Sequence, residues 1–470
     1  MIRALAFLIA LLAVSAAASE PTFDPKPWLQ DLDQVHDALG TKYANLEWAV
    51  FEREADFPRL FAETRTRIEQ AADEAEARAA FDRFARRLGD EHVGFTWPRP
   101  PSPTSPDRCK ALGYDARSRA EPLAAKIRGY RPLATPGVDT FPTGLIGQHI
   151  GVLQIGVFMP QGYPALCEAA LKALAIPVDG PCDGACADRI DDWIADRQTR
   201  DLMEQIRALR KAGATTLLVD IAGNGGGTEW AEAVARMLTP IRLKSEEMDF
   251  MRGEHWAKHF AEDAVSLRRF AEGAAEPDRV LLLSLAEEAE AKHAEALKPC
   301  DAGLLWKGEH PPCRWLGKGF YGTGPLASAD PAALRGKPWA KDVFSPIQYP
   351  YEEGVWRGPL IVLVDRNVGS AAAEFTAVLQ DNRAAIVMGE PTGGGCGHTD
   401  GGTPTVLSNS KTRFNVPDCV RLRADGSNEV MGIRPDVLVS FGERDGPHRR
   451  AARVLALLPE AVKRAAALNR

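Results

Sequence analysis

Two segments of the sequence place residues that could do chemistry directly after an apolar strand. The first runs from 220 to 228 (DIAGNGGGT) and leads into a helix. Glycines in such a turn let backbone N–H groups converge, which suits an anion or an oxyanion. The alternative is a tight turn that serves packing only. A nucleotide-binding loop is not indicated, because G-x-G-x-x-G would need glycine where Thr228 stands and no G-K-[ST] follows.

The second segment, 364 to 375 (VDRNVGSAAAEF), sets a serine at the end of another apolar strand. Ser370 follows a glycine and precedes small residues that begin a helix. A hydroxyl there lies where the helix dipole favours negative charge, so Ser370 is a candidate nucleophile. Serine is also a preferred N-cap residue. This segment alone leaves both roles open.

The hydrophobic pattern around these segments predicts an α/β fold. Apolar residues recur at helical spacing near the amino terminus. Continuous apolar runs such as 215–221 and 359–365 are typical of strands in a sheet covered on both faces. The predicted units are an N-terminal helical domain over 20–96, a proline-rich linker or loop over 97–148, a catalytic α/β core over 149–446 with an insertion at about 243–355, and a C-terminal helix over 447–470.

The composition is that of an ordinary globular protein. The chain has 470 residues, 45% hydrophobic and 26% charged, which is enough for a large buried core. Its 57 lysines and arginines are outnumbered by 64 aspartates and glutamates, so the net charge is −7. A nucleic acid partner is therefore not expected. No repeat of about 20–50 residues points to a solenoid or propeller.

The first 18 residues have the features of a signal peptide. Arg3 precedes an apolar run over 4–14, and alanines at 16–18 offer an A-x-A cleavage site. The run is short for a membrane span, and no later stretch reaches about 18 apolar residues. A retained N-terminal anchor is the alternative. We expect an exported protein, periplasmic or secreted, without stable membrane insertion once the signal is removed.

Eight cysteines in an exported chain favour disulfides. Three pairs bracket short segments: Cys182 with Cys186, Cys300 with Cys313, and Cys396 with Cys419. Cys396 and Cys419 flank an expected hairpin after the Ser370 helix, and we predict that they are joined. A zinc site is the weaker alternative, because C-x-x-x-C has no second pair at ligand spacing.

No metal or cofactor is predicted. His255 and His259 have i, i+4 spacing, but the glutamate of H-E-x-x-H is missing between them. A solvated helix face is therefore the preferred interpretation of these histidines rather than zinc binding.

Taken together, the motifs resemble the carboxy-terminal processing (tail-specific) serine peptidases and their tricorn-core relatives. The resemblance implies a crotonase-like core of β-strands covered by helices, and peptide hydrolysis through an acyl-enzyme on Ser370. The N–H of Ala371 and that of Gly225 or Gly226 would form the oxyanion hole. The motifs that carry the resemblance are GNGGG at 223–227, NVGSAAAEF at 367–375, LQDN at 379–382, GEPT at 389–392 and EVMGIRPD at 429–436.

The resemblance also bears on the general base. Family members with a Ser/Lys dyad carry lysine where this chain has Gly395, so that base is missing. Another branch uses a histidine from a D-x-H element and a glutamate that orients it, and His92 and Glu429 match these. A hydroxyl, an imidazole and a carboxylate suffice for acyl transfer. In that branch serine often precedes the histidine, whereas Glu91 stands here, and its carboxylate would favour the charged imidazolium.

Further candidates and functions stay open. His398 closely follows a glycine run, could line the site, and is the alternative base. Lys411, the nearest downstream lysine, is expected on a surface strand. The stretch 97–148 is too short for the PDZ module of many relatives.

The function expected from the resemblance is that of a peptidase with a peptide or protein substrate. There are two alternatives: a catalytically silent peptide- or ligand-binding protein on the same fold, and a non-peptide esterase.

Overall fold

The computed structural model describes most of the chain. It covers residues 23–98, 107–114, 123–135, 138–179, 182–298, 300, 302–397 and 404–468. The predicted signal peptide over 1–18 lies outside the described residues.

Helices and strands alternate through the described residues. The helices are α1 (Lys26–Lys42), α2 (Leu46–Phe51), α3 (Phe57–Glu69), α4 (Glu74–Leu88), α5 (Arg108–Ala111), α6 (Pro164–Ala173), α7 (Gly184–Lys211), α8 (Trp230–Met237), α9 (Glu254–Glu272), α10 (Asp278–Ala296), α11 (Pro331–Leu334), α12 (Ala340–Val343), α13 (Ala371–Asp381) and α14 (Pro447–Leu468). The strands are β1 (Gly94–Thr96), β2 (Tyr130–Pro132), β3 (Thr143–Ile146), β4 (Ile150–Gln154), β5 (Thr216–Asp220), β6 (Glu247–Met251), β7 (Leu316–Tyr321), β8 (Leu360–Val364), β9 (Ile386–Gly389), β10 (Thr405–Val406), β11 (Arg413–Asn415), β12 (Cys419–Leu422) and β13 (Val437–Leu438).

A seven-stranded sheet forms the centre, in the order β13-β9-β8-β5-β4-β3-β2. Strands β4, β5, β8, β9 and β13 run parallel, and β3 and β2 continue the sheet antiparallel. Successive residues of β5 enter different cores: Leu217 and Val219 pack with α7, α8 and α13, whereas Leu218 packs with α14. Helices on both faces explain why the strands are continuously apolar. The predicted α/β class, a sheet covered by helices, is confirmed.

Two expected units are joined to the core more closely than the sequence suggested. The stretch 97–148, expected as a linker or loop, contains β2 and β3, and both belong to the central sheet. The core therefore begins before residue 149. The insertion at 243–355 supplies β6 and β7. Strand β6 pairs with both β7 and β12, which gives a second, three-stranded sheet.

The N-terminal helices are also tied to the rest of the chain. Strand β1, directly after α4, pairs with β11, and the hydrophobic cluster of α1–α4 includes Leu407 and Phe414. This attachment holds the loop between α4 and β1 against the core. No helix in the described part of the chain is long and apolar enough to cross a membrane.

Candidate active site

The two strand-to-turn motifs meet at one edge of the central sheet. Because β5 and β8 are parallel neighbours, the loops that follow them leave the sheet side by side at its carboxyl edge, where α/β sheets commonly bind ligands. Gly369 N–H donates to the Asn224 carbonyl at 3.3 Å. Gly223 N–H donates to the Asp365 carboxylate at 2.8 Å. The motifs therefore form a single site.

Ser370 immediately precedes α13 and has a strained backbone. Its φ is 52° and its ψ is −130°, a conformation that costs a non-glycine residue about 1–3 kcal/mol. Its side chain makes no capping hydrogen bond to α13, so the N-cap alternative gains no support. A strained serine on a sharp strand-to-helix turn is the arrangement that exposes a nucleophilic hydroxyl in other hydrolases.

Gly226 packs directly against Ser370. A Cβ on Gly226 would lie 2.7 Å from the Ser370 Cβ and 2.9 Å from the Ala371 nitrogen, and the φ of Gly226 is +109°. The Gly226 N–H already donates to Oδ1 of Asn224 at 2.9 Å. Ala371 opens α13, so its N–H has no acceptor within that helix. Gly225 and Ala371 therefore stay the predicted oxyanion donors, and Gly226 permits the close packing.

His92 lies in the loop between α4 and β1, and its ring faces Ser370. The position of Gly397 shows this: a Cβ there would lie 2.9 Å from Oγ of Ser370 and 3.0 Å from Nε2 of His92. The hydroxyl and the imidazole therefore border the same small space beside Gly397. Catalytic hydrogen bonds are often long before substrate binds. The structure thus brings together the predicted nucleophile and the predicted base.

The other ring nitrogen of His92 faces Asp90. Oδ1 of Asp90 lies 3.6 Å from Nδ1 and accepts the His92 backbone N–H at 3.0 Å. The Tyr43 hydroxyl and the Asn45 amide each donate to Oδ2 at 3.1 Å. Burial and the charge of Asp90 raise the pKa of Tyr43 well above its ordinary value. Tyr43 therefore keeps its proton and donates a hydrogen bond to the Asp90 carboxylate.

Glu429, the predicted orienter of His92, begins a 3₁₀ turn (Glu429–Met431) and is buried. Its Oε1 lies 3.4 Å from Nη1 of Arg421. Within the described ranges, no hydrogen bond or ion pair joins the Glu429 carboxylate to His92. The orienting role of Glu429 therefore stays a prediction, with Asp90 as a second candidate.

A cluster of buried glutamates surrounds Arg421, which contacts the backbone of Ser370. Burial raises the pKa of Glu374 to about 8, although Arg421 opposes the shift. Burial and the neighbouring Glu429 raise the pKa of Glu246 well above its ordinary value. Burial therefore favours the neutral form of both Glu246 and Glu374. The glutamates of the cluster are Glu232, Glu246, Glu374 and Glu429.

The other predicted site-lining residues have different outcomes. Glu91 is exposed, and its Oε2 lies 3.6 Å from where a Cβ on Gly369 would be, so its carboxylate borders the site. A Cβ on Gly395, the position of the family lysine, would lie 3.6 Å from Nδ1 of His92. A side chain at position 395 would thus lie beside His92. His398 lies outside the described residues.

Four disulfides join all eight cysteines: Cys109–Cys167, Cys182–Cys186, Cys300–Cys313 and Cys396–Cys419. The predicted Cys396–Cys419 pair is confirmed. Cys396 precedes Gly397 at the site and Cys419 begins β12, so this bond ties the glycine loop to β12.

The histidine pair on α9 faces aspartates. His255 lies 3.5 Å from Asp418, and His259 lies 3.5 Å from Asp263. Across the described ranges, no group of three or more His, Cys, Asp or Glu side chains could hold a metal ion.

Three residues at the site were not singled out from the sequence. Asp90 is the first residue of the D-x-H element, and that motif was the available signal. Gly397 stands in a glycine run whose individual members look alike in sequence. Arg421 lies in an ordinary strand pattern, and nothing in the sequence marks it as buried.

Comparison with known proteins identifies the family of the chain. The model of peptidase family S41 matches residues 189–439, more than half of the chain. No curated protein matches. The crystal structure of mature CPAF is 15% identical, covers 94% of this chain and 98% of its own, and has a TM-score of 0.57. CPAF complexed with lactacystin is 14% identical, with coverages of 94% and 99% and a TM-score of 0.55. A photosystem II D1 C-terminal processing protease is 14% identical, with coverages of 91% and 97% and a TM-score of 0.33.

At identities of 14–15%, the two CPAF structures show a shared fold alone. The family itself is shown by the model that matches more than half of the chain. The resemblance to tail-specific peptidases is confirmed: the chain belongs to peptidase family S41 and is a serine-type peptidase.

Proposed function

We propose that this protein is an exported peptidase that cleaves peptide bonds through an acyl-enzyme on Ser370. The observation that carries the proposal is that Ser370 Oγ and His92 Nε2 border one small space, 2.9 and 3.0 Å from where a Cβ on Gly397 would lie. His92 takes the hydroxyl proton as Ser370 attacks the scissile carbonyl carbon, then gives it to the leaving amine. A water molecule, deprotonated by His92, then attacks the acyl-enzyme and releases Ser370.

The remaining roles follow from the surroundings of these two groups. The N–H groups of Ala371 and Gly225 stabilise the negative oxygen of the tetrahedral intermediate. Asp90 would hold the proton of His92 on Nδ1 once the two groups approach from their 3.6 Å separation, and the donors that fix its carboxylate support this role. Glu429 is the competing candidate for that role.

Two observations support export. Residues 1–18 have a charged start, a short apolar run and a small-residue cleavage site. All eight cysteines are joined in disulfides, which persist in oxidising compartments.

The test compares casein cleavage and ester hydrolysis by the wild type, Ser370→Ala and Ser284→Ala. Ser284 is an exposed residue of α10 and serves as the matched serine control. We expect casein turnover in the wild type and in Ser284→Ala, and a loss of about a thousandfold or more in Ser370→Ala. Ester turnover without casein cleavage would favour the non-peptide hydrolase. No turnover of either substrate by the wild type would favour the silent binding protein.

A further inference from the structure

We propose that Arg421 is a positioning residue that aims the oxyanion hole by holding the carbonyl of the nucleophile. Its Nη1 donates to the backbone oxygen of Ser370 at 3.1 Å. This role rests on the proposed function, because it takes Ser370 as the nucleophile and the Ala371 N–H as an oxyanion donor.

The link between Arg421 and the oxyanion hole is the peptide group that joins Ser370 to Ala371. A trans peptide is planar, so its C=O and its N–H point in opposite directions. Fixing the Ser370 carbonyl therefore fixes the direction of the Ala371 N–H. An oxyanion donor works at about 2.7–3.1 Å from the charged oxygen, and a small rotation of the peptide would weaken it.

The backbone at this point needs such a restraint. The positive φ of Ser370, 52°, is a strained conformation that persists only where the surroundings hold it. Gly226 packs against the side-chain end of Ser370. The Ser370 carbonyl accepts from the Ala373 and Glu374 N–H groups of α13, at 3.0 and 3.1 Å, and Arg421 adds a charged third donor from outside the helix.

Arg421 is itself fixed by two buried glutamates. Nη1 lies 3.4 Å from Oε1 of Glu429, and Nη2 lies 3.5 Å from Oε2 of Glu374. The arginine is only 6% exposed. Buried ion pairs of this kind are often no more stabilising than apolar residues of similar volume. The bond to Ser370 supplies a functional reason for the buried charge.

Arg423 provides a matched control within the same cluster. It lies two residues further on, with its side chain 13% exposed, and it pairs with Asp381 and lies 3.8 Å from Glu246. In the described part of the chain it makes no hydrogen bond to Ser370. Replacing Arg423 therefore disturbs the buried charges without releasing the Ser370 carbonyl.

The experiment measures kcat and KM on a peptide substrate, and the affinity of a peptide boronate, for Arg421→Lys, Arg423→Lys and Ser370→Ala. The boronate forms a tetrahedral adduct whose oxygen occupies the oxyanion hole. Lysine keeps the charge but lacks the fork of donors that serves several acceptors at once. In Arg421→Lys we expect kcat and boronate affinity each to fall by about tenfold or more, with KM changed less than about twofold. Arg423→Lys should leave all three within about twofold.

A purely structural role would lower the melting temperature and leave kcat of the folded enzyme unchanged. That result in Arg421→Lys, or an equal loss of kcat in Arg423→Lys, would overturn the inference while Ser370→Ala stays inactive. Turnover retained by Ser370→Ala would instead overturn the proposed function. If Arg421→Lys does not fold, the double variant Arg421→Gln/Glu374→Gln, which replaces the arginine together with a buried glutamate that contacts it, takes its place with the same expected losses.

Discussion

Nδ1 of His92 lies 3.6 Å from Oδ1 of Asp90, two residues earlier in the same loop. The carboxylate is held in place, because the His92 backbone, Tyr43 and Asn45 all donate to it. At this separation Nδ1 makes no hydrogen bond to Asp90. We propose that the two groups approach when substrate binds, so that Asp90 accepts the Nδ1 proton and leaves Nε2 free to act as the base. Asp90 thus competes with Glu429 for the orienting role.

Asp90→Asn should separate the two candidates. We expect kcat/KM to fall by about a hundredfold to ten-thousandfold, because an amide in place of the carboxylate favours the wrong tautomer of His92. Asp82→Asn is the control, since Asp82 bonds the Trp97 indole at 3.0 Å rather than the base. Glu429→Gln is measured beside them, with melting temperatures for all three. A larger loss in Glu429→Gln, at equal folded fraction, would restore Glu429 as the orienter.

The identity of the base is tested by His92→Ala against Lys411→Ala. The Lys411 ammonium is exposed and donates to the Ser408 carbonyl at 2.8 Å. Because the proposed base takes the Ser370 proton during acylation, His92→Ala should abolish acylation and Lys411→Ala should leave it unchanged. Loss of acylation in Lys411→Ala, with acylation kept in His92→Ala, would show that the base is lysine.

Adjacent glycines give a matched pair at the nucleophile. Gly226→Ala would press a methyl group within 2.7 Å of the Ser370 Cβ at a φ of +109°. We expect loss of activity and a destabilisation of about 1–3 kcal/mol. A Cβ on Gly225 meets nothing within 4 Å, and alanine keeps the N–H, so Gly225→Ala should retain most activity. Equal activity in the two variants would argue against the close packing of Gly226 on Ser370.

The Cys396–Cys419 bond should matter for activity. It ties the loop that ends beside Gly397 to β12, so the double variant Cys396→Ala/Cys419→Ala should lose about tenfold or more in kcat through misplacement of the site. Cys182→Ala/Cys186→Ala is the control, because that bond closes only a four-residue separation at the start of α7 and constrains the unfolded chain less. Full activity in the first variant would show that the loop holds its position without the bond.

The buried Glu374 predicts how stability depends on pH. Burial raises its pKa from 4.5 to about 8, so in this range the folded protein keeps a proton that the unfolded chain releases. The contribution of Glu374 to the free energy of unfolding is complete below the pKa that this group has in the unfolded chain. It is lost as the pH rises towards about 8. The slope is at most about 1.4 kcal/mol per pH unit. Glu374→Gln should flatten the fall in unfolding free energy, measured with denaturant at several pH values between about 5 and 8. If the unfolding free energy of Glu374→Gln fell with pH as steeply as that of the wild type, the raised pKa of Glu374 would be contradicted.

The sequence predicts the centre of the fold and the nucleophile because both signals are local. Continuous apolar runs mark β5 and β8, and the glycine-rich turns after them mark the site. Strand β2 was missed because it is short and ends in Pro132. Proline is tolerated there because β2 is the edge strand of the sheet.

The surroundings of the site could not be predicted because they depend on contacts distant in sequence. The proposed role of Arg421 depends on its contacts with Ser370, Glu374 and Glu429, which lie in a different helix and turn. Asp90 gains its candidate role from Tyr43 and the fold of the N-terminal helices. No periodicity or spacing in the chain reports such contacts.

The most direct test of Ser370 as the nucleophile is labelling with a fluorophosphonate, which reacts with an activated serine. The intact mass of the treated protein and the mass of its proteolytic peptides locate the adduct. We expect one equivalent of label on the peptide that contains Ser370, and none in Ser370→Ala. A label on another residue, or equal labelling of Ser370→Ala, would contradict the assignment of Ser370 as the nucleophile.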